Sequence, residues 1–203
     1  MTASTPAPPG IFISYRHKDS AAWAGWLSDR LANHFGLGQI FKDIDSIHPG
    51  DDFAAAISDA IASCQVLLAL IGDRWLTVAD KAGRRLDNPK DFVRREIETA
   101  LGLGIHVIPI LLDGTTMPDA DQLPPSMAGL SAREALDLSA NRFDSDFGRL
   151  LEALDETLSQ PQATPPRAAA PERSSSGPPK SPERLKRERA QELAELLDPF
   201  PSD

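Results

Sequence analysis

Two periodicities alternate along this chain. Ile11-Phe-Ile-Ser-Tyr15 is a short apolar run rich in β-branched and aromatic residues, and predicts a strand. Residues 19–35 then carry Trp23, Leu27, Leu31 and Phe35 at helical spacing. Gln39-Ile-Phe-Lys42 predicts a second strand, and Pro49-Gly-Asp-Asp52 opens a helix with Phe53, Ile57 and Ile61 on one face. Gln65-Val-Leu-Leu-Ala-Leu-Ile71 is apolar without alternation and stops at Gly72, which predicts a strand covered on both faces. A helix over 89–102, strands at 106–112 and 135–138, and a helix over 144–158 complete the series. Strands alternating with helices predict an α/β fold built on a five-stranded parallel sheet. Pro109 falls inside the fourth strand and predicts that this strand is peripheral or bulged.

One position breaks the pattern. In the 89–102 helix, Phe92, Val93, Ile97, Ala100 and Leu101 form an apolar stripe, and Glu96 falls inside it. Arg94, Arg95 and Glu98 fall on the opposite, solvated side. The residues three and four positions from Glu96 are Phe92, Val93, Thr99 and Ala100, so no cation on its own helix can pair with it. Such a carboxylate either meets a distant arginine or backbone amide, as a structural residue, or faces a cleft, where it can do chemistry.

Composition narrows the domain. Nine of the 18 prolines lie in 160–203 and three in the first nine residues, which leaves 10–159 as the compact part of the 203 residues. Residues 1–9 and the Pro/Ser/Ala-rich linker 160–181 are predicted to be disordered. Segment 182–203 contains a short predicted helix at 182–197, with Ser181 as its cap and Leu185, Leu193, Leu196 and Leu197 as a modest stripe. Its basic start and acidic end oppose the helix dipole, so alone it is marginal: a frayed tail, or a docking segment that orders on a partner protein. Residues 160–203 together carry seven basic and seven acidic residues, so the net charge of −9 belongs to the remainder. An acidic domain disfavours nucleic-acid binding. The single cysteine, Cys64, excludes an intrachain disulfide and reads as a core residue. No apolar run approaches a membrane span and the N-terminus lacks the features of a signal peptide, so a cytoplasmic protein without membrane contact is expected.

Familiar chemistries are mostly missing. There is no phosphate loop with a Lys-Ser/Thr end, no G-x-S-x-G elbow and no H-E-x-x-H pair. Gly36-Leu-Gly38 and Gly102-Leu-Gly104 follow helices, which suits helix C-termini and not a dinucleotide fingerprint. Asp43 and Asp45, with Asp51 and Asp52, do not have calcium-loop spacing, so no metal or other cofactor is expected. In an open α/β sheet, ligands sit beyond the carboxyl ends of the strands where strand order reverses. There the chain places Ser14, Tyr15, Arg16, His17 and Lys18, then 43–52, then Asp73, Arg74 and Trp75. Basic, aromatic and amide donors near one carboxylate would suit a nucleotide-like ligand. Arg16 could equally be a solvated strand-end residue, and Trp75 reads as packing.

Four segments in order resemble a Toll/interleukin-1 receptor (TIR) domain of the bacterial type: Ile11-Phe-Ile-Ser-Tyr-Arg-His17, Phe41-Lys-Asp-Ile-Asp-Ser-Ile-His-Pro-Gly50, the third-strand region 61–76, and Asp91-Phe-Val-Arg-Arg-Glu-Ile97. The resemblance covers 10–159. It implies a flavodoxin-like fold with helices on both faces of the sheet, and two functions. Many TIR domains are adaptors that signal through homotypic assembly. Others cleave the nicotinamide glycosidic bond of NAD+, giving ADP-ribose or a cyclised variant, in signalling or defence. In that group the helix glutamate is catalytic, and Glu96 stands at its position. The resemblance further implies that Arg16 and His17 lie near the phosphates or the nicotinamide ribose. Asp43, His48 and Gly50 of the BB loop would border the site, and Phe92 would supply an aromatic wall. His17 stands where many members have arginine, and Phe92 where active bacterial enzymes often have tryptophan. NAD+ would be substrate, with no cofactor.

Overall fold

The computed structural model describes residues 10–42 and 53–159, side chains at 53–57 excepted. The elements run β1 (Gly10–Ser14), α1 (His17–Phe35), β2 (Ile40–Lys42), α2 (Phe53–Ala62), β3 (Cys64–Ile71), β4 (Ala79–Asp80), β5 (Gly83–Arg84), α3 (Phe92–Gly102), β6 (His106–Leu112), β7 (Leu136–Leu138) and α4 (Phe143–Ser159). Five strands form one sheet in the order β2-β1-β3-β6-β7, every neighbouring pair parallel. The short pair β4 and β5 is a separate antiparallel hairpin between β3 and α3.

Strand alternation explains the two cores. Phe12, Leu67, Ala69, Ile71 and Val107 face one side, where Ile61 of α2 and Val93, Ile97 and Ala100 of α3 cover them. Ile11, Ile13, Val66, Leu68, Leu70, Ile108 and Ile110 face the other, under Ala24, Leu27 and Leu31 of α1 and Phe143, Phe147, Leu150 and Leu154 of α4. Buried side chains of this kind each contribute about 1.5–3 kcal/mol, so the central strand β3, apolar at nearly every position, anchors both layers. The order reverses at β1 and β3: the chain steps from β1 to β2 on one side, then crosses back to β3 on the other. Their carboxyl ends, Ser14 and Ile71, therefore mark the position where an open α/β sheet forms its crevice.

Three expectations need correction. Pro109 does not mark a peripheral or bulged strand. β6 has neighbours on both sides, and Pro109 pairs in unbroken register with Ala69. The proline is tolerated because β7 pairs only with Ile110–Leu112, so the stretch holding Pro109 has one neighbour instead of two. The 89–102 helix begins at Phe92, with Asp91 as its cap. The side of α3 holding Arg94 and Glu98 is also half-buried rather than simply solvated, because Arg94 reaches the carbonyls of Leu86 and Asp87 as well as Glu98. Gly36 ends α1 with φ +101, as its reading as a helix C-terminal glycine requires, whereas after α3 it is Gly104, at φ +71, that takes the left-handed position. The expected disorder of 1–9 and 160–181 and the helix at 182–197 lie outside the described residues.

Candidate functional site

Ser14 ends β1 on the same face as Phe12, two residues earlier, and that face looks toward α3. Glu96 lies on the buried side of α3 with Val93, Ile97 and Ala100. The two meet: Ser14 Oγ donates to Glu96 Oε2 at 2.6 Å, across 82 residues of sequence. Glu96 is 0 % exposed and Ser14 1 %. This short bond from a hydroxyl to a carboxyl oxygen fixes Glu96 at the carboxyl end of β1, beside the reversal of strand order.

A second carboxylate sits one turn earlier. Asp91 caps α3 by accepting from the Arg94 amide at 3.0 Å. The same carboxylate takes two bonds from Arg16, Nη1 to Oδ2 at 3.1 Å and Nη2 to Oδ1 at 2.9 Å, and a third from Arg85 Nε at 3.1 Å. Arg16 Nε donates to the Trp75 carbonyl at 3.0 Å, and its guanidinium lies 5.8 Å from the Trp75 ring centroid. Arg16, Asp91 and Trp75 are all buried. Arg16 is therefore no solvated strand-end residue: its fork is committed to Asp91 and the loop after β3. Trp75 packs in the core, as its sequence context suggested.

Asp19 joins the same rim. It accepts from the amides of Gly72 and Arg74 at 3.0 and 2.9 Å, and Arg74 donates back to the Lys18 carbonyl. These bonds tie the start of α1 to the end of β3. Ser20, one residue on, has non-helical angles (φ −134, ψ 20), so 17–19 form a turn set off from the regular helix.

Of the residues singled out by sequence, Glu96 and Arg16 converge on the β1 end and the start of α3, with Phe92 half-buried in the first turn of that helix against the α3-side core. His17 is exposed and its ring lies 5.0 Å from Tyr15. Asp43, His48 and Gly50 lie outside the described residues. The sequence puts Ser14 at the crevice without a role, and gives none to Asp91. The period-2 phase of β1 carried the signal for Ser14, since it shares a face with Phe12.

Other chemistry is less promising. Burial pushes the Cys64 thiol up to about 12, against a lowering hydrogen bond from Ser63, so it is an inert core group. Among the described residues no three His, Cys, Asp or Glu side chains gather as metal ligands. A cavity of about 350 Å³ lies elsewhere, lined by Trp26, Arg30, Arg142 and Phe143 among others, and none of the predicted site residues lines it. No helix among the described residues is long and apolar enough to cross a membrane.

Comparison with known proteins agrees with this architecture. The TIR domains of the activated Roq1 resistosome, which directly recognises the pathogen effector XopQ, superpose with a TM-score of 0.55 at 12 % identity, over 72 % of this chain and 99 % of that one. A metazoan TIR-STING receptor from C. gigas in complex with 2',3'-cGAMP matches with a TM-score of 0.50 at 17 % identity, over 79 % of this chain and 42 % of that one. At such identities the likeness speaks for the fold. The TIR domain family profile matches residues 11–151, well over half of the sequence, and the chain belongs to the TIR domain family.

Proposed function

We propose that this TIR domain hydrolyses NAD+, cleaving the bond between nicotinamide and ribose to give nicotinamide and ADP-ribose or a cyclised form. The observation that carries the reading is the placement of Glu96: an acid on an apolar helix face, held by a hydroxyl at the carboxyl end of β1, where strand order reverses.

One carboxylate suffices for this chemistry. Ordinary glycosidases need an acid to protonate a leaving oxygen and a second carboxylate for the other face. In NAD+ the nicotinamide ring is already cationic. When the C–N bond breaks, the electron pair goes to the ring nitrogen and nicotinamide leaves neutral. The positive charge passes to the ribose, where the Glu96 carboxylate stabilises it. Water then adds to the anomeric carbon and gives up its proton to Glu96 or to solvent. In the cyclised form the adenine attacks instead. Glu96 is buried in the resting chain, so catalysis requires the groups covering it to move aside, which suits an enzyme that turns over only when assembled. On this reading Asp43, His48 and Gly50 border the substrate, with His17 at the rim and Phe92 as the aromatic wall. On this reading the reaction serves signalling or defence in the cytoplasm, in keeping with the resemblance of the boxes to bacterial-type TIR domains.

A second reading is an adaptor that works by pairing with another copy of itself. Trp26 favours it: this side chain is 42 % exposed and stacks on Phe143 at 3.9 Å, an exposed aromatic on the side of the sheet opposite to Glu96. Nicotinamide release separates the two. Wild-type protein at high concentration, or on a crowding support, is incubated with NAD+ beside Glu96→Ala. Release by wild type, reduced at least about 100-fold in the variant, is expected from the enzyme. Equal release by both, or none by wild type, overturns it in favour of the adaptor. Circular dichroism of the variant shows whether its fold survives.

A further inference from the structure

Arg16 sits where the family resemblance puts a ligand of the substrate's phosphates, yet its guanidinium points into the protein. Its Nη1 and Nη2 hold both oxygens of Asp91, its Nε holds the Trp75 carbonyl, and the residue is 5 % exposed. A bidentate fork in this geometry is the strongest pairing that the two side chains can make. A phosphate could recruit it only by stripping Asp91 of two bonds and leaving a buried carboxylate with Arg85 alone among its cationic partners.

The contact joins the same two elements as the Ser14–Glu96 bond. Arg16 follows Ser14 by two residues at the end of β1, and Asp91 precedes Glu96 by five on α3. Two ties therefore set α3 against β1. The first clamps the helix start. The second holds the carboxylate itself at 2.6 Å, a distance with no slack. Without the clamp the first turn of α3 loses its anchor to the loops after β1 and β3, and with it the placement of Glu96 against Ser14.

We propose that Arg16 is a positioning residue, which acts on Glu96 through Asp91 and does not bind the phosphates of the substrate. The role in turnover rests on the NAD+ reading of Glu96, and the test separates the two. Arg16→Lys keeps the charge and loses the fork. Asp91→Asn keeps a cap acceptor and loses the charge. Each is first shown to be folded by thermal melting, and either one alone suffices if the other fails. Kinetics are run on NAD+ and on nicotinamide riboside, which has the scissile bond and no phosphate. Both variants should lose roughly 10-fold or more in kcat on both substrates, with KM little changed, as expected for displaced catalytic geometry. A loss confined to NAD+ and expressed in KM, seen in Arg16→Lys and absent in Asp91→Asn, would overturn the proposal. The carboxyl-carbon NMR signal of Glu96 needs no turnover. If wild type cleaves neither substrate but this signal moves alike in both variants, the coupling stands and the NAD+ reading fails. If the signal is unmoved in both, the positioning role itself fails.

Discussion

Asp91 and Glu96 are two buried acids on one helix, five residues apart, and their surroundings differ in kind. Asp91 accepts from two guanidinium groups and a helix amide. Its bonds cap α3 and tie the loop after β1 and the stretch after β5 to the start of that helix. Glu96 accepts from the Ser14 hydroxyl and shares its helix face with Val93, Ile97 and Ala100. A carboxylate saturated by arginines is fixed in charge and place, and has little left to offer a substrate. On the NAD+ reading, a carboxylate bonded to a hydroxyl is the one that can meet a cation arriving beside it. Burial alone does not distinguish a structural acid from a reactive one, so the two must be separated by removing each in turn.

The strongest way to break this comparison is to remove each acid and measure stability. Asp91→Ala leaves Arg16 buried without its partner and uncaps α3, so a loss of about 3–5 kcal/mol is expected in urea unfolding at pH 7. Glu96→Gln keeps the shape of the side chain and can still accept from Ser14, so it should lose no more than about 1–2 kcal/mol. Its effect belongs in turnover, with nicotinamide release falling at least about 100-fold. If Glu96→Gln proved the more damaging to stability, Glu96 would be the structural acid of the pair.

A third carboxylate tests whether the rim follows the rule of Asp91. Asp19 holds the Gly72 and Arg74 amides, and it does so at a position where only glycine fits: a Cβ on Gly72 would lie 2.5 Å from Asp19 Oδ2. Gly72→Ala must push Asp19 away or shift the end of β3. A loss of about 1–3 kcal/mol is expected from overpacking, read from thermal melting. The companion Asp19→Ala removes the obstacle, so the double variant should show Gly72→Ala to be nearly harmless. Additive effects would mean that the crowding lies elsewhere.

The sequence revealed the sheet, its five parallel strands and the face on which Glu96 lies, because each rests on local periodicity. Partners were harder to read. Ser14 is 82 residues from Glu96 and Asp91 is 75 from Arg16. Nothing local announces such pairs, and the strand-end position of Arg16 suggested a crevice when the side chain turns inward. Asp91 was hidden for a different reason. With Arg94 three residues on, where a capping box would have Glu or Gln, it lacks the usual N-terminal signature, and Pro89 offers the plainer helix start. Pro109 misled because the tolerance of a proline depends on how far the neighbouring strand extends, and the length of β7 is a property of the assembled sheet.

Asp146 supplies the mildest test, since it copies the chemistry of Asp91 with looser partners. It is buried in the first turn of α4 and accepts from Arg149 at 2.7 Å and from the Ser139 amide at 3.0 Å. Burial alone would raise its carboxyl; the Arg149 bond, the Ser139 amide and the charges of Arg142 and Arg149 outweigh that and hold it below the usual carboxylate range. A depressed folded value means that the unfolded chain takes up the proton first. The contribution is therefore present above the unfolded value of about 4 and is lost as pH falls through the folded one. Both arginines are more than half exposed, unlike Arg16, so screening reduces the effect to about 1 kcal/mol. Asp146→Asn should lower Tm by about 2–4 °C at pH 7, and the gap to wild type should close below pH about 4. A gap that persists in acid would trace the loss to packing at the start of α4, and the contrast between buried and exposed arginine partners would then carry no weight.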